Sequence, residues 1–132
     1  MIECVVDASA LVLALAAKTE GAGELRGRLL ELRVHAPHLI DAEVANVLRR
    51  HERDGLLSEV EARAALRAGH ALVRHRHPHA GALAELAWRW RHNLSFYDAL
   101  YVALAALLDV PLLTADSRLA GAPGQACTIE LV

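Results

Sequence analysis

Asp7 closes the apolar run Ile2–Val6, and Asp116 follows the apolar run Val110–Thr114. An acid at the end of a strand stands where α/β sheets collect their ligand sites, beyond the carboxyl ends of the strands. Glu43 and Asp98 instead lie near the starts of two helical segments. Glu43 is one turn from Ile40 and Val47, and Asp98 is one turn from Leu94 and Val102, so each borders an apolar stripe. Carboxylates gathered in this way do the chemistry of hard divalent cations, and a pair of such ions can clamp the attacking and leaving oxygens of a displacement at phosphorus. Without a cation, two carboxylates about 4 Å apart repel by on the order of 4 kcal/mol at an effective dielectric of about 20. A cluster of three or four is therefore expected to load metal or raise a carboxyl pKa. Ser9 and Thr114 are placed to orient these acids or a metal-bound water. Each acid also has a plain structural reading, because acids are favoured in the first turn of a helix: Asp41 as the cap of the helix carrying Glu43, Ser95 to Asp98 as a variant capping box, and Asp116 as the cap of a short turn.

The elements that would hold these residues follow from periodicity. Ile2–Val6 reads as a strand covered on both faces. Ala8–Ala17 reads as a helix with Ser9 as a possible cap, and Glu24–Arg33 as a second helix. Val34–Ala36 is a candidate strand. Leu39–Arg53 is helical and stops at Asp54-Gly55, and Ser58 with Glu61 forms a capping box for a helix running to Val73. The segment from Arg74 to His79 is the least periodic and reads as a loop or short strand, followed by a helix over Ala82–His92. Ser95–Leu108 is strongly helical, Val110–Thr114 a strand, Arg118-Leu119 a short helix or turn, and Cys127–Leu131 a last strand. Strands alternating with helices predict a three-layer α/β sandwich around a mainly parallel sheet of four or five strands, with 1–132 as one domain.

Composition narrows the class. Apolar residues make up 55% of the chain, yet no run of about 18 of them is free of charge, which excludes a membrane-spanning helix of ordinary length. The start Met-Ile-Glu lacks the basic, small-residue signature of a secretory leader, so the cytoplasm is the expected compartment. Cys4 and Cys127 lie in strand-like contexts without zinc-site spacing and are expected to be buried free thiols. The net charge of −2 provides no overall basic field. The basic residues are nevertheless all Arg apart from Lys18, and Arg offers a fork to phosphate oxygens. His75, His77 and His79 form a wet loop that could take a softer ion such as Zn2+ or Ni2+. Trp88, Trp90, Phe96 and Tyr97 could stack on bases, with Trp88 expected in the core and Trp90 on another face, open to a partner.

Four motifs then fall in register: Val-Val-Asp-Ala-Ser-Ala at the start, Glu-Val-Ala-Asn-Val-Leu after Pro37, Ser-Phe-Tyr-Asp-Ala-Leu-Tyr-Val-Ala-Leu-Ala, and Leu-Leu-Thr-Ala-Asp-Ser-Arg-Leu. Together they resemble the PIN-domain ribonucleases, particularly the VapC-type toxins of toxin–antitoxin pairs, from residue 3 to about 120. The resemblance implies a PIN-like fold, Mg2+- or Mn2+-dependent endonuclease cleavage of RNA, a homodimer, and inhibition by a VapB-like antitoxin. It carries the family's acidic quartet onto Asp7, Glu43, Asp98 and Asp116. The first three would bind metal directly, and Asp116 would help a second ion or act through water. Arg118 could meet a phosphate or stand as a solvated surface residue. A receiver domain would need paired acids after the first strand and a late Lys, and a haloacid dehalogenase-type phosphatase a second Asp where Ser9 stands; neither pattern is present.

Overall fold

Four parallel pairings set the frame of the computed structural model, which describes residues 2–121 and 126–132. Strand β1 (Glu3–Val6) leads into helix α1 (Ala8–Ala16) and then α2 (Glu20–Glu31). Strand β2 (Arg33–Pro37) follows, then α3 (Leu39–Arg53), α4 (Glu59–Leu72) and β3 (His75–His77). The return runs through α5 (Ala82–Ala87), a 3-10 turn at Trp88–Trp90 and α6 (Phe96–Leu108) to β4 (Leu112–Thr114), α7 (Ser117–Ala120) and β5 (Ile129–Leu131). The strand order is β3-β2-β1-β4-β5, with every pairing parallel.

The chain builds outward from β1 through β2 to β3, then crosses back to place β4 on the other side of β1. That makes the gap between β1 and β4 a topological switch point, the position where an open sheet leaves a crevice at its carboxyl edge. Helices α1 to α4 pack on one another and α5 packs on α6. Right-handed crossovers put these two groups on opposite faces of the sheet. Helix α6 is apolar around most of its circumference: every residue from Ala99 to Ala105 is buried, and the helix touches β1, β2 and β4. Its N-terminus is thereby fixed against the carboxyl edge of the sheet. Gly69 of α4 lets α1 approach closely, since a Cβ there would stand 3.1 Å from Leu15 Cδ1.

The α/β sandwich, the helix order and the parallel sheet agree with the sequence reading, and the sheet has five strands. The differences are local. Thr19, whose hydroxyl accepts from the Ala22 N–H, starts α2 four residues before the predicted Glu24. Asp7, not Ser9, caps α1, because its carboxylate accepts from the Ala10 N–H. Asp41 caps nothing; it takes two hydrogen bonds from the Arg76 guanidinium, at 2.7 and 2.9 Å, tying α3 to β3. The predicted Ala82–His92 helix ends at Ala87 and tightens into the 3-10 turn. Trp88 lies one position past the buried Leu83–Ala87 stripe and is 57% exposed, while Trp90, three positions after Ala87, packs partly against the core, the reverse of the expectation for the pair. Cys4 is a buried free thiol, its pKa pushed up to about 12 by burial, whereas Cys127 is only half-buried. No helix among the described residues is long and apolar enough to cross a membrane.

The capping box of α4 is complete: Ser58 Oγ accepts from the Glu61 N–H, and Glu61 Oε1 accepts from the Ser58 N–H. Ser58→Ala is expected to cost about 1 kcal/mol in urea unfolding. The hydrogen bond and ion pair from Lys18, with those from Ser58, lower the Glu61 carboxyl to about 2. A lowered acid stabilises the fold above its unfolded value and loses that contribution as pH falls through its folded value. The melting-temperature gap between wild type and Glu61→Gln should therefore hold at pH 5 and close on approach to pH 2; a constant gap would contradict the pairing.

Candidate active site

Asp7 is the hub of the carboxyl edge. It ends β1 and is buried, 6% exposed. Three donors meet its carboxylate: Ser9 Oγ at 2.7 Å and the Ala10 N–H at 2.9 Å on Oδ1, and Thr114 Oγ1 at 2.5 Å on Oδ2. Ser9 Oγ in turn accepts from the Ala115 N–H, and Thr114 Oγ1 accepts from the Asp116 N–H. These bonds lock the end of β1, the first turn of α1 and the turn after β4 into one unit, with Ser9 and Thr114 as its fasteners. Burial raises the Asp7 pKa most; the hydroxyl and amide donors oppose this, and the Asp116 charge adds to it.

Glu43 lies on α3 and reaches toward α6, where the Tyr101 hydroxyl donates to its Oε1 at 2.5 Å. Asp98 is in the first turn of α6, its backbone N–H capped by Ser95 Oγ at 3.1 Å. Burial is again the largest cause of their raised carboxyl pKa values. The charges of Asp98 and Asp7 push Glu43 further, and those of Asp7 and Asp116 push Asp98. The four acids thus share one electrostatic field at the switch point, although they come from β1, α3, α6 and the turn after β4. Asp116 differs from the other three: it caps α7 and faces Arg118, which holds its carboxyl below the usual range. Arg118 is mostly exposed, with its guanidinium on Asp116 and its outer side open to water.

Hard oxygen donors whose carboxyls are raised by burial and by neighbouring acids fit a hard divalent cation, which would relieve the repulsion and the burial together. Among the described residues, no group of three or more His, Cys, Asp or Glu side chains closes on a common point. Asp7, Glu43 and Asp98 therefore supply a field and donors, not a finished coordination sphere.

Sequence reasoning missed two residues. Tyr101 was hidden in the apolar stripe of α6, and its signal was its place three positions after Asp98, on the same helix face. His35 was passed over inside a strand. It is buried and joins His77 Nε2 at 2.9 Å and Glu3 Oε1 at 3.1 Å, while His75 stacks on it with ring centroids 4.9 Å apart. The ring nitrogens of His35 and His77 are thus engaged with each other and with Glu3. Burial, then the neighbouring histidines, pushes the His77 imidazole toward its neutral form.

A PIN-domain family model matches residues 4–124. Ribonuclease VapC1 of Mycobacterium tuberculosis is 58% identical over 132 residues, covering 100% of this chain and 99% of its own length. The crystal structure of PAE2754 from Pyrobaculum aerophilum aligns with a TM-score of 0.70 at 26% identity, over 97% of this chain and 90% of that one. The crystal structure of VapBC2 from Rickettsia felis bound to a DNA fragment from their promoter has a TM-score of 0.72 over 99% of both chains, and at 10% identity the likeness is one of fold. The chain belongs to the PIN-domain family, among its VapC members.

Proposed function

We propose that this chain is a Mg2+- or Mn2+-dependent endoribonuclease, the toxin of a toxin–antitoxin pair, acting in the cytoplasm as a homodimer and restrained by a VapB-like antitoxin. The observation that carries this reading is that Asp7, Glu43 and Asp98 are all raised by burial and lie in one another's reach at the carboxyl edge of the sheet, the Asp7 charge acting on both of the others. The name of VapC1, 58% identical over the whole of this chain, supports RNA as the substrate, and membership among the VapC proteins supports the antitoxin.

In this reading Asp7, Glu43 and Asp98 would hold the cation, and Asp116 would help a second ion or act through a water. The cation supplies an activated water and neutralises charge on the phosphoryl oxygens. The chain's own part is positional. Ser9, Ala10 and Thr114 hold Asp7 in place, and Tyr101 orients Glu43. The buried helix α6 fixes Asp98, and Arg118 offers a guanidinium to a phosphate once it leaves Asp116.

Purified protein incubated with total RNA and Mg2+ or Mn2+ is expected to yield discrete fragments. EDTA and Asp98→Asn should each abolish them. Cleavage by Asp98→Asn equal to wild type would overturn the assignment of the site. No cleavage under any condition would leave a PIN-like domain that binds RNA or a partner without cutting.

A further inference from the structure

The chain has two Trp, two Tyr and one Phe, and Trp88, Phe96 and Tyr97 are exposed. Two of them meet, and the third, Tyr97, is the next residue after Phe96. Trp88 and Phe96 meet edge to face, with centroids 6.2 Å apart, and the Arg91 guanidinium lies 5.0 Å from the centroid of the Trp88 ring. Arg91 is held there by donating to the Trp88 carbonyl at 2.9 Å. Phe96 and Tyr97 are the two residues immediately before Asp98 in the first turn of α6. Exposed aromatics in contact with one another mark a contact surface, and core packing does not use these three.

The charge around them names its chemistry. From Leu86 to Tyr97 the chain carries no acid, while Arg89, Arg91 and His92 are all exposed, in a protein whose net charge is −2. A locally basic segment interleaved with aromatic rings attracts a phosphate backbone and offers π-faces to bases. A planar cation already stacked on an indole completes such a surface. Trp88 is exposed because it lies one residue beyond the buried Leu83–Ala87 stripe of α5, about 100° around the helix.

We infer that Trp88, Phe96, Tyr97 and Arg91 form a stacking platform for an unpaired base of the RNA, beside the acids that act on its backbone. This rests on the ribonuclease reading and adds the residues that would hold the base: a base splayed out of the strand can lie on the ring, and one stacked within continuous duplex cannot.

The test uses Asp98→Asn protein with Mg2+, so that the RNA survives, and fluorescence anisotropy of a short labelled oligouridine. In that background Trp88→Ala is expected to weaken binding roughly tenfold, and Trp88→Phe to restore most of it. Arg91→Ala should weaken binding and also flatten its salt dependence, whereas Trp88→Ala should leave the salt slope unchanged. The same RNA paired with oligoadenine should bind with no dependence on Trp88. Equal affinity of Trp88→Ala and its parent for the single strand would overturn the platform while leaving the nuclease intact. Unchanged affinity with a shift in oligomeric state by light scattering would also overturn it, assigning the face to a second copy of the chain. Wild type that neither cuts nor binds RNA would overturn the ribonuclease reading itself, and the platform with it.

Discussion

Asp7→Asn is expected to lower metal-dependent RNA cleavage by at least about a hundredfold, since a metal site supplies several kcal/mol of transition-state stabilisation. The fold should survive. The Asn carbonyl oxygen can still accept from Ser9 Oγ and the Ala10 N–H, and its amide can donate to Thr114 Oγ1 in place of the present O–H···O bond. The change removes a charge that burial and Asp116 both disfavour, so the metal-free variant should melt no lower than wild type. The response to Mn2+ should differ in the opposite sense. A cation at about a hundred times its dissociation constant stabilises wild type by about 2.7 kcal/mol, a rise of several degrees for a chain of this length. The variant should show much less. Differential scanning fluorimetry with and without Mn2+, beside a cleavage assay, decides the matter: equal Mn2+ shifts in the two proteins would remove the cation from Asp7.

Tyr101→Phe carries the second large expectation. The hydroxyl is buried and donates to Glu43 Oε1 at 2.5 Å, so the substitution keeps the ring in the core and deletes only the bond that aims the carboxylate. Groups that orient a metal ligand typically contribute about 10- to 100-fold in metal affinity or activity. The Mn2+ concentration giving half-maximal cleavage should therefore rise by about that factor, while cleavage at saturating Mn2+ recovers in large part. Tyr101 touches neither substrate nor the reacting atoms in this account; it positions Glu43. An unchanged Mn2+ requirement would reduce Tyr101 to a core residue.

Much of this was legible in the sequence because periodicity reports burial. The continuous apolar run of β1 implied a strand covered on both faces, and the apolar density of α6 implied a helix held within the fold; both follow from what each segment must exclude from water. The four acids were legible because strand ends and helix starts are where a parallel sheet displays polar groups. Polar residues with two possible partners were harder. Ser9 was a cap candidate only while its partners were unknown: it lies inside α1, donates to the capping Asp7, and accepts from the Ala115 N–H, which is distant in sequence. Asp41 was read as a cap because the reading was local, and its actual partner, Arg76, lies on another strand. Trp88 and Trp90 were exchanged because the Leu83–Ala87 stripe of α5, and not the size of the rings, decides which of them faces the core: Trp90 stands three positions after Ala87 and Trp88 only one. The Glu3, His35 and His77 chain spans three adjacent strands, so its parts acquire meaning only once the register is known.

The strand order also constrains how copies of this chain can associate. The outermost strands, β3 and β5, are each three residues long, and they carry His75-Arg76-His77 and Ile129-Glu130-Leu131. So short a margin offers few free backbone groups, and its charged side chains discourage a neighbour from continuing the ladder. The sheet is therefore a poor template for growth, and a homodimer would have to be built across helical faces. Such an assembly can close as a pair without leaving an open rim to recruit a third copy.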